Sequence, residues 1–205
     1  MSSIDHSTPV LFFQPSEIPF GKFSNYFVSP IEIKDVGGIG IDSSHNGSIS
    51  TFASVEHYYQ SRKYTKTCPE YASLIGKAAT PHQAKMLAKQ TIENRFPWQK
   101  KVNELISSSQ SNYAKQKSIE SSNTSSLIPI DPNWDKERDS VMKIGLKAKF
   151  TQHQDLKDLL LSTGTRLIAE NSPYDDYWGL GKHKHGQNKL GKLLMELRSE
   201  LRFCQ

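Results

Sequence analysis

The sequence predicts an α+β protein that is predominantly helical, with a few short strands near its N-terminus. Residues 9–13 have the sequence PVLFF, a short apolar run that is typical of a buried strand. Residues 30–34 alternate between apolar and polar side chains, as a half-exposed strand does. Beyond residue 54 the apolar residues recur at helical spacing, which predicts about six helices.

The predicted helices begin at recognisable capping residues. Ser54 is the expected N-cap of a helix with the sequence VEHYYQSRKY, and Thr80 forms a capping box with Gln83. Asp131, followed by a proline, predicts a further helix start. The last helix is the clearest, because five leucines form one apolar stripe along it. These leucines are Leu190, Leu193, Leu194, Leu197 and Leu201.

Two segments lack the composition of a core. Residues 35–50 contain Gly-Gly and Asn-Gly pairs, which predict a long hairpin loop. Residues 107–126 are rich in serine and poor in large apolar side chains, so they cannot bury enough surface to offset the entropy of ordering them. We therefore expect a single domain over residues 1–205, with a flexible Ser-rich insertion at about 107–126 rather than a linker between two domains.

Charge and cysteine content suggest the setting in which the protein acts. The net charge of +5 and the isoelectric point near 9.1 fit an anionic partner, although a basic solvated surface explains them equally well. The two cysteines, Cys68 and Cys204, do not form a disulfide framework. With no apolar stretch of membrane-spanning length and no signal-like N-terminus, the expected location is cytoplasmic, with no membrane partner. Nothing in the sequence indicates the oligomeric state.

The helix that follows Ser54 carries the first candidate chemistry. Glu56, Gln60 and Lys63 lie at positions i, i+4 and i+7, so they share one face, and Tyr59 borders that face. A carboxylate, an amide and an amine in one line can support acid–base chemistry on a small substrate. The alternative is a solvated polar stripe, with Glu56 favoured in the first turn by the helix dipole.

Residues 175–188 form a second candidate segment, with the sequence DDYWGLGKHKHGQN. Its glycines allow close backbone approach to a ligand, and its tryptophan offers a flat face for a base. The alternative is an ordinary polar loop whose tryptophan enters the core. The His183-x-His185 pair has no cysteine partner nearby, so we expect no metal site and no cofactor.

Five blocks taken in order resemble the NADAR family of YbiA-like proteins. They are FGKFSNYFVSPI, VEHYYQSRKY, AATPHQAKMLAK, the stretch from NWDKERD to DDYWGLG, and GQNKLGKLLMELRSEL, and together they cover roughly residues 11–203. The resemblance implies a compact, largely helical YbiA-like single domain. Two departures, the Ser-rich insertion and a longer hairpin loop, put substrate choice in doubt.

The resemblance also implies the roles of individual residues. Glu56 matches the family's conserved glutamate, Lys63 the lysine closing that block, and Asp176 the acid of the D-x-W-G block, so these three are the expected catalytic residues. Further residues that match the family blocks or flank them are the expected substrate contacts. These are Phe23, Ser24, Asn25, Tyr59, Gln60, Trp134, Trp178, Gly179, Gly186 and Asn188.

Hydrolysis of the bond between ribose C1′ and a base nitrogen is the activity that the resemblance implies. Family members remove ADP-ribose from guanine of nucleic acid, or cleave phosphorylated ribosylamino-pyrimidine intermediates of riboflavin synthesis. The basic charge, and the absence of an attached riboflavin-pathway domain, favour ADP-ribose on guanine, with ADP-ribosylated DNA or RNA as substrate.

A non-catalytic module that binds an ADP-ribose-like nucleotide would need neither Glu56 nor Lys63. A general nucleic-acid binder would need a denser basic stripe than this chain has. The enzyme hypothesis expects Glu56 and Lys63 to face one cavity walled by Trp134 and Trp178.

Overall fold

A computed structural model of the protein describes residues 8–34, 49–90 and 128–203. Six α-helices, four short strands and one 3-10 helix occupy these residues. The strands are β1 (Val10–Phe12), β2 (Ile31–Lys34), β3 (Ile49–Phe52) and β4 (Ile168–Glu170). The helices are α1 (Val55–Arg62), α2 (Pro69–Gly76), α3 (Pro81–Lys89), α4 (Trp134–Gln152), α5 (Gln154–Ser162) and α6 (Lys189–Phe203), and the 3-10 helix is Phe20–Phe23.

The predicted α+β class with dominant helices is confirmed, but two strands were not predicted. Strand β3 begins at Ile49, inside the segment expected to be a hairpin loop. Strand β4 lies late in the chain and pairs in parallel with β1, with Leu11 opposite Ala169. All three residues of β4 are buried. A three-residue strand is too short to show a periodicity of its own, and only its pairing with β1 identifies it. Strands β2 and β3 form a second two-stranded sheet.

The described residues fall into two compact units. The terminal unit consists of residues 8–32 and 139–203, and the central unit consists of residues 33–34, 49–90 and 128–138. The single-domain organisation stays a prediction. The expected Ser-rich insertion lies outside the described residues, as does nearly all of the expected hairpin loop.

Two tyrosines organise the core of the central unit. The rings of Tyr64 and Tyr71 meet edge to face, with centroids 5.0 Å apart, and both residues are buried. Their hydroxyl groups donate to carbonyl oxygens at the end of α3, Tyr64 to Ala88 at 2.5 Å and Tyr71 to Leu87 at 2.6 Å. Because a buried hydroxyl needs a partner, these two bonds anchor α3 against α1 and α2.

The predicted helix starts are confirmed at two places and shifted at the third. The Ser54 side chain accepts from the backbone N–H of His57, and Thr80 accepts from that of Gln83 at 3.1 Å. At Asp131 the carboxylate accepts from the N–H of Asn133 at 2.9 Å, but α4 begins only at Trp134. The aspartate therefore closes a turn that precedes the helix.

Helix α6 and the β1–β4 pair form much of the core of the terminal unit. Leu190, Leu194, Leu197 and Leu201 are buried on α6, as the apolar stripe predicts, whereas Leu193 is half-buried. The buried side-chain amide of Asn188 lies just ahead of α6. It accepts from the N–H of Glu170 at 3.0 Å and donates to the carbonyl of Ile168 at 3.0 Å, which ties the start of α6 to β4.

Within residues 8–34, 49–90 and 128–203, no helix combines the length and the apolar character that a membrane crossing requires.

Candidate active site

Helix α1 carries three of the predicted site residues, Glu56, Tyr59 and Gln60, and Lys63 follows it directly. The helix is buried on almost all sides. Every residue from Val55 to Ser61 is buried. Glu56 is only 2% exposed and Gln60 only 4%. A solvated polar stripe would leave both side chains in water, so this alternative is wrong. The carboxylate and the amide instead lie in an environment where unpaired polar groups are costly.

The two buried polar side chains of α1 are joined to each other. The Nε2 group of Gln60 donates to Oε1 of Glu56 at 2.9 Å, which is the i, i+4 contact that the spacing predicts. The Oε1 atom of Gln60 is buried and has no hydrogen-bond partner within the described part of the chain. Because a buried acceptor without a donor is unfavourable, this oxygen is suited to receive a hydrogen bond from a ligand.

Lys63 lies directly after α1, against two aromatic rings. Its Nζ atom is 5.5 Å from the centroid of the Tyr59 ring and 5.8 Å from that of Trp134. The two rings meet edge to face, with centroids 5.0 Å apart. Trp134 is 8% exposed and Tyr59 is 6% exposed, so they form a largely buried aromatic corner beside the amine. The structure therefore brings together three of the predicted site residues, Tyr59, Lys63 and Trp134.

The surroundings of Lys63 make its amine easier to deprotonate. Burial is the main cause that lowers its pKa from 10.5 to about 8, and the carboxylate of Glu56 opposes this shift. The cationic side chains of Lys85, Lys89 and Arg138 lower the pKa further. At pH 7 a pKa of about 8 leaves roughly one-tenth of the amine neutral, compared with about one part in 3,000 for an unshifted lysine. The neutral form is the one that can act as a nucleophile.

The turn before α4 explains how Trp134 reaches Lys63. The N–H of Asp131 donates to the carbonyl of Lys63 at 2.8 Å, and the N–H of Trp134 donates to the carbonyl of Asp131 at 2.9 Å. The ammonium of Lys66 lies 2.8 Å from Asp131 and 2.7 Å from Glu137. Burial opposes ionisation of Asp131, but the hydrogen bonds from Lys66 and from the N–H of Asn133 lower its pKa overall. The ionised aspartate thus fixes the turn that carries the tryptophan.

His57, inside the same helix, has a structural role. Its Nδ1 atom lies 2.8 Å from the Ser54 hydroxyl and its Nε2 atom 3.1 Å from the carbonyl of Ala78. The carbonyl requires a proton on Nε2, so Nδ1 accepts from Ser54. Burial lowers the pKa of His57, while its bond to Ala78 raises it. Both ring nitrogens are committed to the fold.

The segment 175–188 belongs to the terminal unit, where Asp175 rather than Asp176 organises the backbone. The Asp175 carboxylate accepts from the N–H groups of Tyr177 at 2.9 Å and Trp178 at 2.7 Å. The Trp178 ring is half-buried and meets the Tyr177 ring edge to face, with centroids 5.1 Å apart. Asp176 is exposed. The two neighbouring acids therefore differ: Asp175 fixes the turn through two hydrogen bonds, whereas Asp176 is exposed.

Two glycines of this segment are required by its geometry. Gly181 has a φ of +68°, and a Cβ atom there would collide with the carboxylate of Asp176. A Cβ atom on Gly186 would collide with the carbonyl of Gly179, whose oxygen also accepts from the N–H of Asn188 at 3.0 Å. Gly179, Gly186 and Asn188 thus hold the segment in a tight fold, and the Asn188 amide is already engaged with β4.

The early block FSN also lies in the terminal unit. Phe23 is completely buried, and its ring lies 5.8 Å from that of Phe12 and 5.9 Å from that of Phe150. Ser24 is 2% exposed and Asn25 is 9% exposed. The Ser24 hydroxyl accepts from the N–H of Tyr26 at 3.3 Å, so the turn is held partly by its own side chain.

Sequence reasoning missed Lys149, a fully buried lysine of α4 that holds the FSN turn. Its Nζ atom donates to the carbonyls of Lys22 at 2.7 Å and Ser24 at 2.9 Å. Burial lowers its pKa to about 7. A signal was present, because Lys149 follows the buried Met142 and Leu146 at helical spacing and so falls on an apolar face. The cations around Lys63 were also missed, since Lys85 and Lys89 come from α3 and Arg138 from α4.

Comparison with known families gives one match that covers almost the whole chain. The family model described as the NADAR domain matches residues 11–202. The solved structure described as the NMR structure of the Escherichia coli protein YbiA has a TM-score of 0.65 and 28% sequence identity. The match covers 98% of this chain and 88% of that chain.

Curated proteins with similar sequences carry two kinds of name. The N-glycosidase YbiA of Escherichia coli K12 is 32% identical over 95% of this chain and 89% of its own length. An N-glycosidase of Nostoc punctiforme is 30% identical over 90% of this chain and 87% of its own. The riboflavin biosynthesis protein PYRR of Zea mays is 28% identical over 96% of this chain, but the match spans only 26% of that longer protein.

The lowered pKa of Lys63 can be tested by chemical acetylation at a series of pH values. The rate of acetylation at Lys63 is measured by quantifying the modified peptide by mass spectrometry. We expect the rate to rise with pH through a midpoint near 8. In Glu56→Gln the midpoint should fall, because the carboxylate raises the lysine pKa. In the double variant Lys85→Gln with Lys89→Gln it should rise, because both cations lower that pKa. A wild-type midpoint near 10 would contradict the arrangement.

Proposed function

The chain belongs to the NADAR domain family, and from this membership we propose that it removes ADP-ribose from guanine bases of nucleic acid. It is a hydrolase that acts on N-glycosyl bonds, as its relatives named N-glycosidases are, at about 30% identity. The observation that carries the proposal is the buried carboxylate of Glu56 on α1, which interacts electrostatically with Lys63 directly after that helix. Lys63 is half-buried and lies beside the aromatic corner of Tyr59 and Trp134.

Glu56 is proposed to support bond breaking by its charge. Cleavage of a C1′–N bond passes through a sugar with oxocarbenium character, in which positive charge develops at C1′ and the ring oxygen. A carboxylate fixed in a buried site stabilises that charge more strongly than it would in water. The bond from Gln60 holds the carboxylate in place before the charge develops, so little reorganisation is needed during the reaction.

Lys63 is proposed to act as the nucleophile. Its neutral amine attacks C1′ while the C1′–N bond breaks, and the bonding electron pair leaves with the base, which takes up the proton that the attached amine releases. The C1′–O4′ bond then breaks, O4′ takes up a proton from solvent, and a protonated Schiff base forms between Lys63 and C1′. Water adds to this imine and releases the free sugar together with the amine. The lowered pKa, about 8, supplies the neutral amine that the first step needs.

Further substrate contacts are proposed for each unit by itself. In the central unit, the buried Oε1 atom of Gln60 would accept from a ribose hydroxyl, and Tyr59 and Trp134 would flank the sugar and base. In the terminal unit, Asp176 would orient hydroxyl groups or handle a proton, and Trp178 would stack on the base. The remaining proposed contacts are to hydroxyl and phosphate oxygens, through Phe23, Ser24, Asn25, Gly179, Gly186 and Asn188.

The charges around Lys63 support a phosphorylated substrate. Lys85 and Lys89 lie one turn apart on α3, and Arg138 lies one turn after Trp134 on α4. All three act on Lys63 with repulsive charge, so cations converge beside the proposed nucleophile. Such convergence attracts anions. The net charge of +5 adds long-range attraction to nucleic acid, which favours a substrate carried on DNA or RNA.

A second substrate class is favoured by the name of one relative. The matching maize protein is named for riboflavin biosynthesis, so phosphorylated ribosylamino-pyrimidines are the alternative substrates. They share the ribose phosphate and the C1′–N bond with the first class. A non-catalytic module for ADP-ribose is a weaker candidate, because simple binding has no need of a buried carboxylate beside an amine of lowered pKa.

Replacing Glu56 by glutamine tests the role of its charge while keeping its shape and its oxygen acceptor for Gln60. We expect the turnover number to fall by about 100-fold or more, with substrate affinity largely retained. The matched control is Glu137→Gln, which removes a carboxylate that pairs with Lys66 in the same unit and should leave turnover near normal. Glu56→Gln turnover within threefold of wild type would remove Glu56 from the mechanism.

Borohydride reduction in the presence of substrate tests the covalent role of Lys63. The expected result is a stable adduct on the peptide that contains Lys63, found by mass spectrometry and absent in Lys63→Met. Lys66, three residues away and paired with two carboxylates, serves as an internal control that should remain unmodified. If turnover proceeds and no adduct forms at Lys63, the lysine binds substrate without attacking it.

Direct comparison of the two substrate classes tests the finer proposal. Pure protein is incubated separately with ADP-ribosylated guanine DNA and with a ribosylamino-pyrimidine phosphate, and released base or sugar is quantified. We expect kcat/KM to be at least about tenfold higher for the ADP-ribosylated DNA, with a steep decrease as salt is raised. A higher kcat/KM for the pyrimidine phosphate would establish the alternative.

A further inference from the structure

Lys149 is a buried amine with a specific set of partners. It is 0% exposed, and its Nζ atom donates to the carbonyls of Lys22 and Ser24, at 2.7 and 2.9 Å. The same atom lies 5.3 Å from the centroid of the Phe27 ring and 5.4 Å from that of Phe150. Two carbonyls and two aromatic faces therefore satisfy the amine without a neighbouring carboxylate in any of these contacts.

A buried lysine needs a reason, because lysine is almost never fully buried unless its charge is compensated. A methionine at this position would fill a similar volume without any polar group to desolvate. Desolvation lowers the pKa of Lys149 to about 7, and within the described residues no charged neighbour offsets the burial of the ammonium. Both the ammonium and the neutral amine keep at least two N–H donors, which matches the two carbonyls in either state.

The backbone that Lys149 holds is the turn from Lys22 to Asn25. Phe23 is buried in the core at the middle of this stretch, and Lys149 donates hydrogen bonds to the carbonyls of Lys22 and Ser24 on either side of it. The Ser24 carbonyl also accepts from the N–H of Phe27 at 3.0 Å, and the Ser24 N–H donates to Gly21 at 3.0 Å. Of the hydrogen bonds described for this turn, those from Lys149 come from a distant part of the chain, 125 residues away from Ser24.

We propose that Lys149 is a positioning residue that fixes the Lys22–Asn25 turn from helix α4, so that Ser24 and Asn25 present their polar groups to the ribosyl phosphate of the substrate. The proposal rests on the proposed function, since it takes the Ser24–Asn25 pair as a substrate contact. The side chain of Lys22 does not share this role, because its Nζ atom pairs with Oδ2 of Asp155 at 3.1 Å. Lys149 acts through the backbone of the turn and does not touch the substrate.

The test compares Lys149→Met with Leu146→Ala, a control that removes buried volume one turn earlier in the same helix. Kinetic constants are measured on the substrate that the wild type cleaves, together with thermal unfolding. We expect Lys149→Met to raise KM by about tenfold while kcat changes by less than about threefold, because the turn loses its placement and the chemistry does not. Leu146→Ala should lower the unfolding temperature and leave KM within about twofold of wild type.

Two further variants make the outcome decisive. Asn25→Ala should raise KM, and its combination with Lys149→Met should raise KM less than the product of the two single effects, since both act through one turn. Lys149→Gln keeps N–H donors without the charge, so its KM should lie between those of wild type and Lys149→Met. It also replaces the methionine variant in the comparison if that protein does not fold.

The failure of this proposal differs from the failure of the proposed function. If Asn25→Ala raises KM and Lys149→Met does not, the turn binds substrate without help from the lysine, and the positioning role is wrong. If both Ser24→Ala and Asn25→Ala leave KM unchanged, the turn is not a substrate contact and the positioning role falls with it. If the wild-type protein instead cleaves none of the ribosyl substrates, the proposed function is wrong.

Discussion

The burial of a polar helix face is the constraint on which the candidate site depends. Helix α1 has no apolar stripe to account for its position, yet every residue from Val55 to Ser61 is buried. The fold must therefore satisfy a carboxylate, an amide and an imidazole inside the central unit. It does so by pairing Gln60 with Glu56, and by using both nitrogens of His57 in bonds to Ser54 and Ala78. A buried carboxylate is costly unless hydrogen bonds or opposite charges compensate it, and the hydrogen bond from Gln60 to Glu56 is one such compensation.

Much of the central unit places groups around that face. The hydroxyls of Tyr64 and Tyr71 anchor the end of α3, the helix that carries Lys85 and Lys89. Further along the chain, the N–H of Asp131 donates to the carbonyl of Lys63 and so sets the start of α4 with its tryptophan. The same backbone bond thus joins the proposed nucleophile to the aromatic corner that covers it. The contacts that hold the fold and the candidate site share residues here, so a substitution that disturbs one also disturbs the other.

Local patterns predicted what local chemistry controls. Ser54 and Thr80 cap their helices because a side-chain oxygen there meets a nearby backbone N–H, and this requires no knowledge of the rest of the chain. The face shared by Glu56, Gln60 and Lys63 also follows from helical spacing alone. What could not be predicted depends on distant partners. Strand β4 exists through β1, Lys149 is satisfied by carbonyls more than 120 residues away, and the cations near Lys63 come from segments that spacing cannot relate. Burial itself, which separates a solvated stripe from a site, is a property of the assembled unit.

The electrostatics of Lys63 have to serve two opposed steps. Attack on C1′ requires a neutral amine, and burial together with Lys85, Lys89 and Arg138 favours that form. In the proposed mechanism a protonated Schiff base follows, with positive charge on the same nitrogen, which the carboxylate of Glu56 would stabilise. Glu56 therefore opposes the first state and supports the second, while the cations do the reverse. A pKa near 8 keeps a usable fraction of free amine near neutral pH, as the proposed attack requires.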